Sequence, residues 1–471
     1  MSTTAHRRSQ WWLAVSMLIL MLSVLAARHQ QDNKFALVSY AAMALVALLS
    51  IRKIGIRETY LLIISGVLAV AVYFQHFDPI STYQNALNQA AFMMAFILLL
   101  GLLYEAAVNS PAITECGRYI TGQLPGRRYA ALHLGTGLMS VLFNLGVISL
   151  LTPLIQGGVR TANPGDPLNP IRERRQLVAV QRGFAWGIIW SPTALAPLTI
   201  LDLVPGIDRP RWIMVGFIIA SIAMLIGWLE DYLRFRYISR ARQTPRPPPP
   251  ALPRSALLRF TAAFFWLLSL TLWFSNLSND TVVFGLMLAC PPMMIGWVLA
   301  QQGFNAGAFS RTQIHMRSII FSKLPHTAPV AITLACSGFI GRAAAALVPA
   351  DQLIAAVGIG VLPDYVFLSL LPLAITLLSF LALSPIVTSV FLGSVLGTLE
   401  VLPIDATLLA ISISCGWALA MTISPFVTLV LVMVRASGHS GTTLSLRWNL
   451  SFALVSAAML VPVFWILTSG S

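Results

Sequence analysis

The sequence predicts an all-α polytopic membrane protein, built as an inverted repeat with two re-entrant helical hairpins and two broken transmembrane helices. Three observations carry this. First, 57% of the 471 residues are hydrophobic and 10% charged, with a mean hydropathy of +0.80, against roughly 25% charged residues in soluble domains. Second, GFAWGIIWSP, Gly183 to Pro192, returns as GWALAMTISP, Gly416 to Pro425, identical at four of ten positions with a shift of 233. Third, PAITECGRYITGQLP, Pro111 to Pro125, returns as PADQLIAAVGIGVLP, Pro349 to Pro363, identical at five of fifteen with a shift of 238. Two matched pairs in one order and at nearly one spacing mark an internal duplication.

Each Ser-Pro of the first pair falls inside an apolar segment. Proline removes a backbone donor and clashes with the preceding turn, so it kinks or breaks a helix. In a bilayer, broken backbone survives only inside protein or beside a water-filled cavity. Matched breaks in two halves are the sequence signature of a transporter's binding site.

Taken in order, residues 1–34 hold an extra amino-terminal span. Its apolar run, Trp11 to Ala27, follows Arg7 and Arg8, a pattern shared by signal peptides and uncleaved first spans. The uncleaved reading fits better, because no small-x-small site precedes a soluble domain. The first repeat is 35–232. Its scaffold spans fill 35–110: Phe35 to Ile51, Tyr60 to Phe74 and Ala90 to about Val108. The segment 111–125 is too polar to cross but has helical apolar spacing, so it reads as a helix along the interface. The segment 129–156 is apolar yet interrupted by Gly135, Gly137, Asn144, Gly146 and Pro153. Two half-spans around a polar tip, holding Ser140 and Asn144, fit it better than one span. The loop Gly157 to Arg182 follows, with five arginines, then the broken span 183–203 and a span at 212–229.

The linker 233–256 contains the run Pro247 to Pro250, and between Leu233 and Arg259 there are seven arginines and no acid. Its proline content makes it an extended spacer. The second repeat, 257–471, keeps the order of the first. Spans at Leu257 to Phe274, Val282 to Leu299 and about Thr327 to Leu347 lead to an interfacial helix at 349–363. A second hairpin at 365–398 has its tip near Ser384 and Pro385. A broken span at 406–434 and a last span at 450–467 close the chain.

With the amino terminus in the cytoplasm, eleven spans and two hairpins put every strongly basic loop on one side, as the positive-inside bias requires. The first interfacial helix and hairpin then fall on the cytoplasmic side and their copies outside, so the halves are inverted. The carboxyl terminus lies outside, and the expected location is the cell (inner) membrane. The net charge of +14 resides in these loops and implies no nucleic-acid partner. Cys116, Cys290, Cys336 and Cys415 form no metal-ligand spacing, and no phosphate loop, HExxH or GxSxG is present. No cofactor is expected.

At this point the chain resembles the ion transporter superfamily, most closely the divalent-anion/sodium symporter architecture. The resemblance rests on the twice-given order of three spans, interfacial helix, hairpin, broken span and span. It rests also on LMSVLFNLGVISLLTPLI, Leu138 to Ile155, which is similar to the superfamily's first hairpin. It implies a homodimer with a scaffold domain and a transport domain that moves as an elevator. The symporters carry Ser-Asn-Thr at each tip. Here the first tip reads Phe143-Asn144-Leu145 and the second Leu383-Ser384-Pro385, so the position of the site carries over and its ligand does not.

An anion site needs donors without strong fixed charge, so that release is easy. Half-helix amino termini supply about half a positive charge and free N–H groups, and hydroxyls donate to anions or accept toward cations. The candidate substrate- and ion-binding residues are Ser140, Asn144, Ser191 and Thr193 in the first half, with Ser384, Thr388, Ser424 and Thr428 in the second. The bland alternative for each hydroxyl is a bond to its own helix carbonyl. Na⁺ is the candidate coupling ion. Trp186 and Trp190 read as pocket walls or, more readily, as lipid- or scaffold-facing aromatics. Glu105 and Arg342 lie near span ends as interfacial anchors, and His133 reads as structural.

The expected function is secondary active transport of a small carboxylate or oxyanion coupled to Na⁺ or H⁺. The runner-up is a cation/proton antiporter or a metalloid-oxyanion exporter on the same fold. A membrane enzyme of lipid or polysaccharide assembly would need acids, His or Arg clustered in a sizeable outer loop, and no outer loop here is long.

Overall fold

The fold was obtained as a computed structural model, which describes residues 3–30, 32–75, 78–108, 110–162, 164–191, 193–194, 199–201, 203–204, 206–240, 251–303, 307–348, 362–381, 383–396 and 404–469. Among these, every regular element is a helix. Ten helical segments are long and apolar enough to cross a membrane, and the chain is a multi-pass membrane protein. The first broken segment, read as an eleventh span, is absent from these ten. The chain divides into two compact units: Met1–Ser110, Thr261–Ala350 and Val390–Thr398 form one, and Pro111–Phe260, Asp351–Ser389 and Leu399–Ser471 the other.

The first unit is built from α1 (Thr3–Gln30), α2 (Asn33–Ser50), α3 (Ile56–Gln75) and α4 (Pro79–Val108). It also takes in most of α10 (Arg254–Ser278), α11 (Val282–Gln302), α12 (Ala308–Ser318) and α13 (Ala328–Leu347). A π turn (Ile319–Lys323) and a 3-10 turn (Leu324–Thr327) join α12 to α13. The long α4, half of it apolar and interior, packs against α13 and α11, and α1 packs on α2 and α4. Arg28 at the end of α1 donates from Nε and one terminal nitrogen to Asp280 at 2.7 and 2.9 Å, fastening α1 to the α10–α11 turn. Glu105, near the end of α4, pairs with Lys323 at 3.3 Å.

The second unit holds α5 (Pro111–Thr121), α6 (Pro125–Phe143), α7 (Gly146–Ala162), α8 (Asn169–Gly187) and α9 (Arg209–Arg240). Its later elements are α14 (Asp364–Phe380), the start of α15 (Pro385–Leu396), α16 (Ala406–Ile423), α17 (Thr428–Ser437) and α18 (Trp448–Ser469). A π turn at Thr443–Arg447 precedes α18. The segment read as the first interfacial helix contains the short amphipathic α5. Its copy at 349–363 lies almost wholly outside the described residues, as do 241–250 of the linker, Pro192 and Asp202.

Three boundaries differ from the sequence reading. The basic stretch read as a loop to Arg182 is helical from Asn169, and Arg182 is 2% exposed. Arginine density mimics a solvated loop, but Glu230 of α9 neutralises this one at 2.7 Å. The first repeated stretch does not open its broken span: GFAWG closes α8, as GWALAMTI, inside the span read from Ala406, closes α16. Finally, α4 starts at Pro79 rather than near Ala90, because its polar first turns still satisfy their backbone bonds.

Candidate functional site

Within the second unit the two halves pair in the same way: α6 packs on α8, and α14 packs on α16. The repeated glycines sit at these crossings. A Cβ at Gly183 would lie 2.3 Å from the main-chain oxygen of His133, and one at Gly416 would lie 2.7 Å from Ile375 Cδ1 and 3.1 Å from Pro372 Cα. Only a hydrogen side chain admits the approach at Gly183. Gly187 meets Gly137 in the same way, with a would-be Cβ 2.9 Å from Gly137 Cα. The glycines that interrupt the hairpin sequence are therefore packing positions.

The breaks follow these crossings. In the second half α16 ends at Ile423 and Ser424 turns extended, with φ −83° and ψ 129°. Pro425 has no N–H, so the last-turn carbonyls of α16 lose a helical donor. Gln181 of α8 fills the gap, donating from Nε2 to Met421 O at 3.3 Å and Thr422 O at 3.1 Å. In the first half α8 ends at Gly187, four residues before Ser191.

A hydroxyl joins each break to the hairpin helix before it. Thr193 Oγ1 donates to Val141 O at 2.6 Å, near the end of α6. Ser424 Oγ donates to Ser379 O at 2.9 Å, near the end of α14. Val141 and Ser379 differ by 238, the spacing of the sequence repeat. Ser424 Oγ also accepts from Phe426 N–H at 3.3 Å, and Ser191 Oγ lies 3.4 Å from Thr193 Oγ1. Ser140 Oγ donates to Gly137 O of its own helix at 2.7 Å, the bland outcome foreseen for any of these hydroxyls.

The hairpin tips are different. Asn144 ends α6 with φ +48° and ψ −134°, a positive-φ backbone outside the left-handed helical well. Its side chain is half-buried, and among the described residues the amide has no hydrogen-bond partner. Ser384 and Thr388, at the start of α15, are 5% and 8% exposed, and their hydroxyls likewise have no partner among the described residues. Thr428 is the first residue of α17. The structure thus separates the eight candidates: Thr193, Ser424 and Ser140 are bonded to main-chain carbonyls, whereas Asn144, Ser384 and Thr388 keep unspent polar groups. Each of these three flanks the first turn of a short helix, α7 or α15, whose leading N–H groups lack helical acceptors.

Trp186 is fully buried and packs edge-on against Phe452, 6.0 Å between ring centres, and Trp190 packs on Phe217 at 5.5 Å. Trp186 is therefore a core residue rather than a lipid-facing one. His133 is buried on α6, 5.9 Å from the Tyr129 ring.

Sequence reasoning missed a buried polar chain behind the breaks. Asn449 of α18 donates to Gln181 Oε1 at 3.0 Å and to Leu444 O at 2.7 Å, and accepts from Arg182 Nε at 2.7 Å. The Arg182 guanidinium also lies 4.0 Å from the Phe452 ring centre. Gln and Asn carry no motif. The one available signal was a Gln-Arg pair directly before the repeated stretch.

No family model matches the chain, and none of the curated proteins matches it. Among solved structures it is similar to the YdaH transporter of Alcanivorax borkumensis, whose crystal structure has been described as revealing an unusual topology. The TM-score is 0.56 at 15% identity, covering 88% of this chain and 98% of that one. It is also similar to MtrF of Neisseria gonorrhoeae, described as illuminating a class of antimetabolite efflux pumps, with a TM-score of 0.47 at 12% identity, covering 87% and 94%. The likeness to YdaH spans nearly the whole chain and shows the fold.

Proposed function

We propose that the chain is a secondary active transporter of a small anion, a carboxylate or oxyanion, coupled to Na⁺ or H⁺. One observation supports the reading: each half has a helix end tied to a break by a hydroxyl, and the segments read as hairpin tips keep polar groups that have no partner among the described residues. Uncommitted donors beside helix amino termini suit an anion that must be bound and then released. Ser140, Ser191, Thr193 and Ser424 build the frame, and Asn144, Ser384 and Thr388 face the solute, with the α17 start at Thr428 beside them. The shared fold with a solved transporter agrees with this. We further propose that the second unit is the moving part of an elevator, that the protein works as a homodimer in the inner membrane, and that the kinship lies with divalent-anion symporters.

The test is uptake by proteoliposomes. Labelled dicarboxylates and inorganic oxyanions are offered under an imposed Na⁺ or H⁺ gradient. Gradient-dependent accumulation of one of them is the expected result. If none moves and Na⁺ instead dissipates a pH gradient, cation/proton antiport replaces the proposal.

A further inference from the structure

In the second unit the end of α9 and the start of α18 form, with α8, a narrow cleft that opens to solvent. Four guanidiniums line it, Arg174, Arg175, Arg182 and Arg234, against two carboxylates, Glu230 and Asp231, an excess of two positive charges (4 − 2). Both carboxylates are already engaged. Asp231 takes Arg175 in a fork, from Nε at 3.0 and 3.2 Å and from the terminal nitrogen at 2.7 Å. Glu230 takes Arg182 at 2.7 Å and Ser451 at 2.5 Å, and Arg234 reaches it only at 3.5 Å.

Arg174 has no carboxylate in ion-pair range among the described residues. It lies over the rings of Phe235 and Trp448, 5.8 Å from each. Stacking fixes a guanidinium's plane without consuming its N–H donors, and a guanidinium so held presents a fork that matches a phosphate. Surplus cations crowded together repel one another until an anion joins them.

The ground beside the cleft is apolar and exposed. Trp228, Leu229, Tyr232 and Leu233 on α9 are 41–50% exposed. Trp228 stacks on Tyr232 with ring centres 6.0 Å apart, and aromatic rings of this kind mark the membrane–water boundary. An acyl chain lying along this face puts its headgroup at the mouth of the cleft.

We propose that this cleft seats the phosphate of an anionic phospholipid, with Arg174 and Arg234 as its principal donors, as basic pockets between spans do. The site is separate from the transported solute and does not depend on its identity.

The full-length protein in detergent is titrated with short-chain phosphatidylglycerol while its melting midpoint is followed. Phosphatidylcholine of the same chain length and inorganic phosphate serve as the other arms. Phosphatidylglycerol should raise the midpoint saturably, phosphatidylcholine should not, and Arg174→Gln should weaken the apparent affinity about tenfold, the loss of one charge-assisted contact. If that variant does not fold, Arg234→Gln, at a side chain 42% exposed, is expected to weaken it in the same direction. Equal shifts from both lipids, or unchanged affinity in the folded variants, overturn the site. An equal shift from inorganic phosphate overturns the lipid assignment in favour of a soluble oxyanion.

Discussion

Hydroxyls in this protein divide by where their protons go. Thr193 and Ser424 donate to carbonyls of a neighbouring helix, so an alanine at either place loosens a joint. Among the described residues Asn144 and Thr388 leave their side-chain groups unspent; Thr388→Ala removes a donor and no bond, and Asn144→Gly removes the amide while keeping a positive φ accessible. Under the proposed function Thr388→Ala and Asn144→Gly are therefore expected to raise the KM for uptake about tenfold or more with little change in melting midpoint. Ser424→Ala should lower stability by about 1 kcal/mol, read as a drop in that midpoint. The converse pattern would reassign the two sets. Arg182 poses a harder case, since a buried charge left without its partner costs about 3–5 kcal/mol. Glu230→Gln should therefore be among the most destabilising polar substitutions, measured by thermal denaturation, with Glu230→Asp partly restoring it. Ser191 and Ser424 were legible because they recur in both copies. Gln181, Arg182 and Asn449 were not, because their importance lies in partners from 48 positions away (Arg182 with Glu230) to 268 (Asn449 with Gln181), which no local pattern displays.

At the scale of elements, the crossing of α6 on α8 leaves no room for a methyl group at Gly183. Gly183→Ala must separate two main chains, and about 1–3 kcal/mol of destabilisation or more is expected from such overpacking. Gly416→Ala meets Ile375, at its Cδ1 and at its branched Cβ 2.9 Å away, before any main-chain atom, and should cost less than Gly183→Ala, as comparative melting would show. Asp405 caps α16, accepting from Thr407 and Leu408 N–H, and pairs with Arg211 at 2.6 Å. Burial alone would raise its carboxyl, but the Leu408 N–H, Arg211 and the Thr407 N–H hold it below the ordinary range. A depressed folded pKa gives stability that is present above the unfolded value, about 3.9, and lost as pH falls below it through the folded pKa. Melting midpoints between about pH 6 and pH 3 should therefore decline less steeply in Asp405→Asn than in the parent. Most helices were legible from hydropathy and proline. The start of α8 was not, because arginines that find acids on another helix look, in sequence, like arginines in water.

For the molecule as a whole, the charged contacts bear on its orientation. Arg28 with Asp280, and Arg211 with Asp405, join groups that the basic-loop count places outside. Lys323 with Glu105, Arg175 with Asp231, and His439 with Glu173 join groups it places in the cytoplasm. None of these pairs joins groups that the loop-charge reading assigns to opposite sides. All four cysteines are free and buried, so an added surface thiol reports alone. A membrane-impermeant maleimide applied to intact cells should label Asn279→Cys and spare Pro164→Cys, and the reverse labelling would invert the topology. The two hydroxyl joints carry a further consequence. Each latches the last turn of α6 or α14, next to the segment read as a tip, to the break beside it, so a tip cannot peel back on its own without surrendering that latch. Under the proposed function, cargo would then move with hairpin and rod carried together, and a covalent staple across either latch should leave turnover running while a staple to any stationary part should stop it.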